Sequence, residues 1–517
     1  MNETPDRSRP PVRWWPAVAI LAVVLGLLGW FWLGPAPQTQ QRVIATFPTL
    51  FFGAVALFLW LVLFSRLPGR LRARIFLVTL LVVAAGFLLF EIQGVDGNLV
   101  PILGYRWSGE RDFEVTASAD DGAMEAVETL TDYPQFYGPR RDATLDGPRL
   151  ARDWQADPPR EIWRREVGEG WSAFAIAGQA AVTQEQRGGR ELVVRYDLAT
   201  GAEEWVHADD TSFDTTVGGK GPRATPTIDR GRVYTLGATG ILNCLELDSG
   251  RRVWSRDVLA DTGTAQPDWG LPSSPLVTDD LVIVEVGRGG PSLAAYDRDT
   301  GEPVWTVDSD SGSYSTPRLA VVGGRQQVLV VNQRSVAGHD PATGRRLWSI
   351  PWDTGGEKVT PVLPLSEDLV LVSAGYGQGS RLLRLLPEDP QGSSYRVEEV
   401  WESRRLKSKF APMVVHEGVV YGLDDGVMVA LDPETGERLW KAGRYGHGQL
   451  ILVGELILVT TEKGDVVLVE ATPEEHRELG RFEAFDSKTW NPPALAGNLL
   501  LIRNNREAAA YELPLAG

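Results

Sequence analysis

Trp171, Arg223, Pro272, Tyr314, Lys358, Lys409, His447 and Trp490 each stand three residues before a proline, or its equivalent, that opens an apolar stretch, at intervals of 38 to 52 residues. The set holds three fixed cations, one imidazole and three aromatic rings, and Lys220, Trp269, Tyr445 and Asn491 lie close to it in sequence. In a chain of net charge −17, cations brought together with flat rings suit an anionic, planar ligand, held by charge-assisted hydrogen bonds and stacking. A quinone tricarboxylate, an anionic sugar or a peptide carboxylate meets that description. The competing reading is that these side chains pair with local acids such as Glu169, Asp268 and Glu357 and fill a channel. The two readings differ in whether the cations face solvent.

Other chemistries find little support. Cys244 is the single cysteine, which excludes an intrachain disulfide, a cysteine-based zinc site and a haem-attachment motif; in ILNCLEL it reads as a core residue. His207, His339, His416, His447 and His476 lack metal-ligand spacing. The acidic balance argues against a nucleic-acid partner, which draws on clustered Lys and Arg.

The elements that would position the ring residues repeat. DLATGAEEW, ELDSGRRVW, DRDTGEPVW, DPATGRRLW and DPETGERLW carry Asp197, Gly201 and Trp205; Gly250 and Trp254; Asp297, Gly301 and Trp305; Asp340, Gly344 and Trp348; and Asp432, Gly436 and Trp440. Asp and Thr side chains bond their own turn amides, and Gly admits the positive φ of a tight turn. The Trp returns on an outer strand, where burying its ring contributes roughly 4–6 kcal/mol gross, more than a surface position would. Between these motifs lie alternating runs such as RVYTLGATGILNCLEL and VVYGLDDGVMVALD, which read as four-stranded meanders. Inner strands open at RATP, PSSP, YSTP, KVTP and KFAP, and in weaker form at WSAF, HGQL and WNPP. Eight units follow. The last has three strands, and EIWRREV at 161–167 is an outer strand with no unit before it. Pairing the two closes a ring and removes free sheet edges. The expected fold is all-β: an eight-bladed β-propeller of four-stranded antiparallel blades.

The pattern Ala-x-Asp-x-x-Thr-Gly-x-x-x-Trp, met in full from Ala295 to Trp305 and from Ala430 to Trp440, resembles the tryptophan-docking repeat of quinoprotein alcohol dehydrogenases, shared by the outer-membrane assembly lipoprotein propeller. The chain is more similar still to bacterial pyrroloquinoline-quinone-binding-like propellers, many of which open with a segment like DYPQFYGPRRDA at 132–143. The resemblance spans about Asp132 to Leu513 and implies pyrroloquinoline quinone with calcium as the cofactor to consider. It does not carry the catalytic apparatus across. One cysteine cannot form the vicinal disulfide common in those enzymes, no calcium ligands map residue by residue, and the ring uses nearly all of the chain.

Ahead of the repeats, residues 14–33, 43–64 and 75–92 are long and apolar enough to be three transmembrane α-helices. Arg7, Arg9 and Arg13 precede the first, and Arg66, Arg70, Arg72 and Arg74 fill the second connection, against Arg42 alone in the first. The positive-inside rule then expects a cytoplasmic N-terminus and a propeller outside, anchored in a bacterial inner membrane with the propeller periplasmic. With no cysteine near the N-terminus, the helices are the expected anchor. Residues 93–131 read as a linker with at most one short helix, and 132–517 as the propeller.

Two functions from different classes are consistent with this plan. The first is a non-catalytic binding or scaffolding propeller for an envelope protein, peptide or glycan. The second is a membrane-bound pyrroloquinoline-quinone-dependent dehydrogenase passing electrons to membrane quinone. A third role, stabilising a complex assembled by the helices, stands behind them. The missing vicinal cysteines and the compact blades favour the first.

Overall fold

The computed structural model describes residues 12–34, 39–107, 131–307, 310–353 and 355–517; the acidic part of the expected linker, at 108–130, lies outside them. Contacts divide the chain into two compact units, Met1–Asp112 and Phe113–Gly517.

In the first unit, α1 (Trp15–Leu33), α2 (Thr39–Leu59) and α3 (Gly69–Leu89) are helices. A π-helical turn, Trp60–Phe64, extends α2. All three are long and apolar enough to cross a membrane. Helices that are apolar all round have no stripe with which to join a soluble core, and almost every side chain of α1 and α3 is outside any core here. The third helix begins before Ile75 and stops at Leu89. From Phe90 the residues alternate apolar and polar, and β1 (Phe90–Val95) pairs antiparallel with β2 (Pro101–Tyr105), so part of the stretch expected as linker is a hairpin.

The second unit is an eight-bladed propeller of antiparallel sheets. Blades 1 to 6 span 175–209, 227–257, 276–306, 318–351, 363–403 and 414–444, and blade 7 spans 449–483. In blade 8, strand Glu507–Glu512 pairs with Arg160–Glu166, from Glu507↔Glu166 to Glu512↔Arg160, so the N-terminal strand closes the ring. Arg503 of blade 8 fastens that closure. Its fully buried guanidinium donates to Thr183 Oγ1 (2.9 Å), the Gln184 carbonyl (2.9 Å) and the Gly168 carbonyl (2.8 Å). Second strands such as Leu281–Glu285 are buried along their whole length, whereas outer strands such as Glu203–Asp209 alternate, as sheets covered on both faces or on one demand.

The repeat motif joins blade to blade. Asp297 Oδ1 accepts hydrogen bonds from Thr300 N and Thr300 Oγ1, both at 2.8 Å, and Gly301 takes φ +73°. The Trp254 ring of the preceding blade lies flat on that glycine, where a Cβ would meet Trp254 Cδ2 at 2.6 Å. Its Nε1 donates to the Arg298 carbonyl (3.0 Å). Gly201, Gly250, Gly344 and Gly436 receive Trp163, Trp205, Trp305 and Trp401 in the same way. The glycine is therefore required twice, for its positive φ and for the bare surface it gives the ring. Trp440 docks against blade 7 through a hydrogen bond from Nε1 to the Thr472 carbonyl (2.9 Å). Trp348 differs: blade 5 has a long turn in place of the motif, and Trp348 Nε1 donates within its own blade to Gln327 Oε1 (2.7 Å).

Residues 132–145 form an axle inside the ring. Tyr133 bridges Ile176 of blade 1, and the Pro134 carbonyl accepts from Ile228 N of blade 2 (2.8 Å). Arg141 donates to the Ser274 and Pro275 carbonyls of blade 3, each at 2.9 Å. Tyr137 donates to Gln449 Oε1 of blade 7 (3.2 Å), and Thr144–Leu145 adds a parallel strand to that blade. Tyr133, Tyr137, Arg141 and Ala143 are all buried. Burial lowers the Arg141 guanidinium to about 9, opposed by the Ser274 and Pro275 carbonyls and by Gln135 Oε1, which accepts from Nη1 at 3.0 Å.

Candidate functional site

The connections from each outer strand to the next inner strand carry the ring residues to one end of the channel. Some of their side chains meet there in two groups. Trp171, buried, packs against half-buried Trp490 with ring centroids 5.1 Å apart, and Phe410 adds a third ring 5.3 Å from Trp490. His447 meets Phe410 edge-on at 5.7 Å. Lys488 Nζ lies 4.1 Å from the Trp490 centroid and 4.7 Å from that of Trp171. Trp490 Nε1 donates to Glu462 Oε1 (2.9 Å), and Glu462 Oε2 accepts from His447 N (3.0 Å). Across the mouth, half-buried Trp269 stacks on Tyr314 at 5.2 Å and 29°, and Trp269 N donates to the Tyr314 hydroxyl (3.3 Å). Arg288 covers the Tyr314 ring at 5.1 Å and pairs with Glu357 at 2.7 Å. Burial raises the Tyr314 hydroxyl's pKa, so it stays protonated.

A small hairpin, Asp214–Thr215 with Gly219–Lys220, links the two aromatic groups. Trp171 Nε1 donates to its Gly218 carbonyl (3.0 Å). The cations are placed differently from one another. Arg223, half-buried, donates to the carbonyls of Gly218 (2.6 Å), Gly219 (3.1 Å) and Gly221 and lies 4.4 Å over Phe213; burial lowers it to about 10. Lys358 is buried, and its Nζ donates to the carbonyls of Gln333 (2.6 Å) and Gly356 (3.4 Å). Burial lowers its pKa, opposed by Asp353, Glu357 and Asp310. Lys409 Nζ sits 4.5 Å over Tyr376 and 5.3 Å over Phe410. Lys220 pairs with Glu169 at 3.3 Å, and Asp268 is exposed.

Arg223 and Lys358 therefore direct their charge into loop carbonyls, and what the mouth presents is chiefly aromatic. Asn491, buried, donates to the carbonyls of Gly170 (3.2 Å) and Ser172 (2.7 Å), tying blade 8 to blade 1. Tyr445 turns elsewhere, bonding His476 Nε2 (2.8 Å) and Glu478 Oε2 (3.0 Å). Phe410, Lys488, Tyr376 and Arg288 complete the arrangement. Spacing from the inner-strand proline passes over Phe410 and Lys488 by one or two positions, and Tyr376 and Arg288 lie on loops inside blades, which that rule never samples.

The profile of the family described as "Outer membrane protein assembly factor BamB" matches this chain at residues 146–271, 189–442 and 333–475, together more than half of it. The chain belongs to that family. A curated relative, outer membrane protein assembly factor BamB of Shewanella oneidensis, is 29% identical over 375 residues, covering 60% of this chain and 89% of the relative. Among solved structures, BamB from Moraxella catarrhalis is similar with a TM-score of 0.52 and 16% identity, covering 69% of this chain and 99% of that one. A europium-containing methanol dehydrogenase is similar with a TM-score of 0.56 and 12% identity, over 74% of this chain and 98% of that one. At such identities these structures show the fold alone.

The fold makes pyrroloquinoline quinone with calcium worth testing against the residues present, and they do not fit it. The ring cations that would meet its carboxylates include two already bonded to carbonyls. The described residues contain no group of three or more His, Cys, Asp or Glu that could hold a metal, and Cys244 is buried and alone.

Proposed function

We propose that this chain is a protein-binding scaffold of the bacterial envelope, anchored in the inner membrane by α1 to α3 with its N-terminus cytoplasmic and its propeller periplasmic, and that the channel mouth holds a segment of a partner protein. The observation that carries the reading is the character of the mouth. Two aromatic groups, Trp269 with Tyr314 and Trp490 with Trp171 and Phe410, flank a channel whose interior is filled by the axle at 132–145. Aromatic rings at a concave surface supply large contact area at small entropy loss and dominate protein interfaces. A glycan can also stack on such rings, so the partner class needs its own readout. The family description makes an envelope protein under assembly the natural candidate, and the Arg-rich second connection supports the orientation.

A photo-cross-linking residue placed at Trp269 in cells should capture a defined envelope protein, identified by mass spectrometry. The same residue at Val304, exposed on an outer strand, should not. Equal capture from both positions, or capture of glycan alone at Trp269, would remove the reading. A reporter fused after Leu513 should be active only outside the cytoplasm, and one at Pro68 only inside.

A further inference from the structure

The connection between α2 and α3 concentrates positive charge. Only Ser65, Arg66, Leu67 and Pro68 separate the π-helical turn ending at Phe64 from α3, which starts at Gly69, and Arg70, Arg72 and Arg74 follow at once. A helix N-terminus carries partial positive charge and favours acids, yet the first turn of α3 holds none. No Asp or Glu occurs anywhere from Arg7 to Phe90, so no acid of the helical anchor balances these cations, although the whole chain has net charge −17. The connection is held in shape. Ser65 is buried, and its Oγ donates to the Leu61 carbonyl (2.5 Å) and accepts from Leu67 N (3.3 Å). Half-buried Arg72 donates from Nη1 to the Val62 carbonyl (3.0 Å), fastening the start of α3 to the end of the preceding helix. Arg66, Arg70 and Arg74 are exposed. Arg70 and Arg74 stand about 6 Å apart along the axis of α3 and share a face.

We propose that Arg66, Arg70 and Arg74 form a binding site for the phosphate headgroups of anionic phospholipids in the leaflet that this connection borders. The inference rests on the reading that α2 and α3 span the membrane, and it does not depend on which side their connection faces. Two observations favour lipid over a soluble partner. The connection is too short to rise out of the headgroup layer, so its cations stay at the depth of the lipid phosphates. The residues that flank them are apolar and exposed, Leu63 by 58%, Phe64 by 66% and Leu71 by 42%; such side chains belong in hydrocarbon and hold the arginines just above it. Guanidinium forks match phosphodiester oxygens bidentately, and cations clustered beside a spanning helix attract anionic lipid.

Spin-labelled lipids test this with the full chain in phosphatidylcholine vesicles, where the immobilised share of a trace of labelled phosphatidylglycerol or phosphatidylcholine reports what borders the protein. The parent should immobilise phosphatidylglycerol several-fold more strongly than phosphatidylcholine at low salt, and molar salt should erase most of that excess. Arg66→Gln, Arg70→Gln and Arg74→Gln together should remove most of it, while Arg66→Lys, Arg70→Lys and Arg74→Lys together should keep it. Arg70→Gln alone should lose part of it, which keeps the test in force if the triple variant inserts poorly. Equal immobilisation of the two lipids by the parent would overturn the proposal. So would an excess that survives in the Gln variants, which would put the anionic lipid elsewhere on the chain. The span has its own readout: a nitroxide attached through Leu81→Cys, in a chain whose single cysteine is removed by Cys244→Ala, must be open to oxygen and closed to a water-soluble nickel chelate. Nickel access there would overturn the spanning reading, and the lipid site with it, whereas equal immobilisation with that label in lipid would overturn the lipid site alone.

Discussion

Substituting Gly301 by Ala probes the docking of tryptophans between blades, and Gly231 provides a matched control. Both glycines have φ +73°. A Cβ at Gly231 meets nothing within 4 Å, whereas one at Gly301 would lie 2.6 Å from Trp254 Cδ2 and 2.8 Å from Cε3. Holding Ala in the left-handed region costs about 1–2 kcal/mol at either site, offset by about 0.4–1 kcal/mol of lost unfolded-state entropy. Gly231→Ala should therefore lose about 1 kcal/mol. At Gly301 the ring must also retreat by about 1 Å to restore ordinary carbon–carbon contact near 3.5–4.0 Å. That movement strains the hydrogen bond from Trp254 Nε1 to the Arg298 carbonyl, about 1 kcal/mol, and opens packing around a buried indole for about 1–2 kcal/mol more. Gly301→Ala should thus lie about 2–3 kcal/mol below Gly231→Ala. Urea unfolding of the full chain in detergent, followed by tryptophan fluorescence, reads the difference as a shift in midpoint at unchanged slope. Equal midpoints for the two variants would refute the docking account.

Replacing Arg223, Lys358 and Lys409 together by Gln should lower the melting temperature by several degrees, because loop carbonyls lose charged donors; an intact fold with loss of an anionic ligand would restore the anion-site reading. His339 is fully buried, with Nδ1 3.0 Å from the Gly344 carbonyl, and burial lowers its pKa to about 4. The unfolded chain takes up that proton near 6.5 and the folded chain only near 4, so stability should fall as pH drops through that window, by at most about 3 kcal/mol. A His339→Gln variant with the same pH slope as the parent would contradict this. Pyrroloquinoline quinone with calcium should leave the melting temperature unmoved in a thermal scan, where ligand at 100 times its Kd would add about 2.7 kcal/mol.

The blades were legible because their determinants are local. Asp297, Thr300 and Gly301 form one turn, and Trp305 follows at fixed distance, so the motif declares both itself and its spacing; eight inner strands and the closing strand at 161–167 followed. Docking by Trp163 and Trp401 was not legible, since neither ends a full motif and each is defined by a glycine in the next blade. The axle escaped for a similar reason: Arg141 meets Ser274 and Tyr137 meets Gln449, contacts across more than a hundred residues that no periodicity encodes. At the mouth, spacing identified Trp171, Tyr314 and Trp490, but residue type could not show where a cation points. Arg223 and Lys358 turn inward because loop carbonyls, of Gly218 for the first and of Gln333 for the second, each stand 2.6 Å away.

The mouth as the partner-binding surface is tested most directly by affinity, measured with the full chain in nanodiscs and the envelope protein captured at position 269. Trp269→Ala removes a half-buried ring from the mouth, and Val304→Ala trims a more exposed side chain on an outer strand. Trp269→Ala should weaken binding by about 2 kcal/mol, roughly thirty-fold, as expected for an aromatic hot spot, while Val304→Ala leaves it unchanged and both variants keep the parent's melting temperature within a few degrees. Unchanged affinity in Trp269→Ala, with the protein folded, would contradict the account.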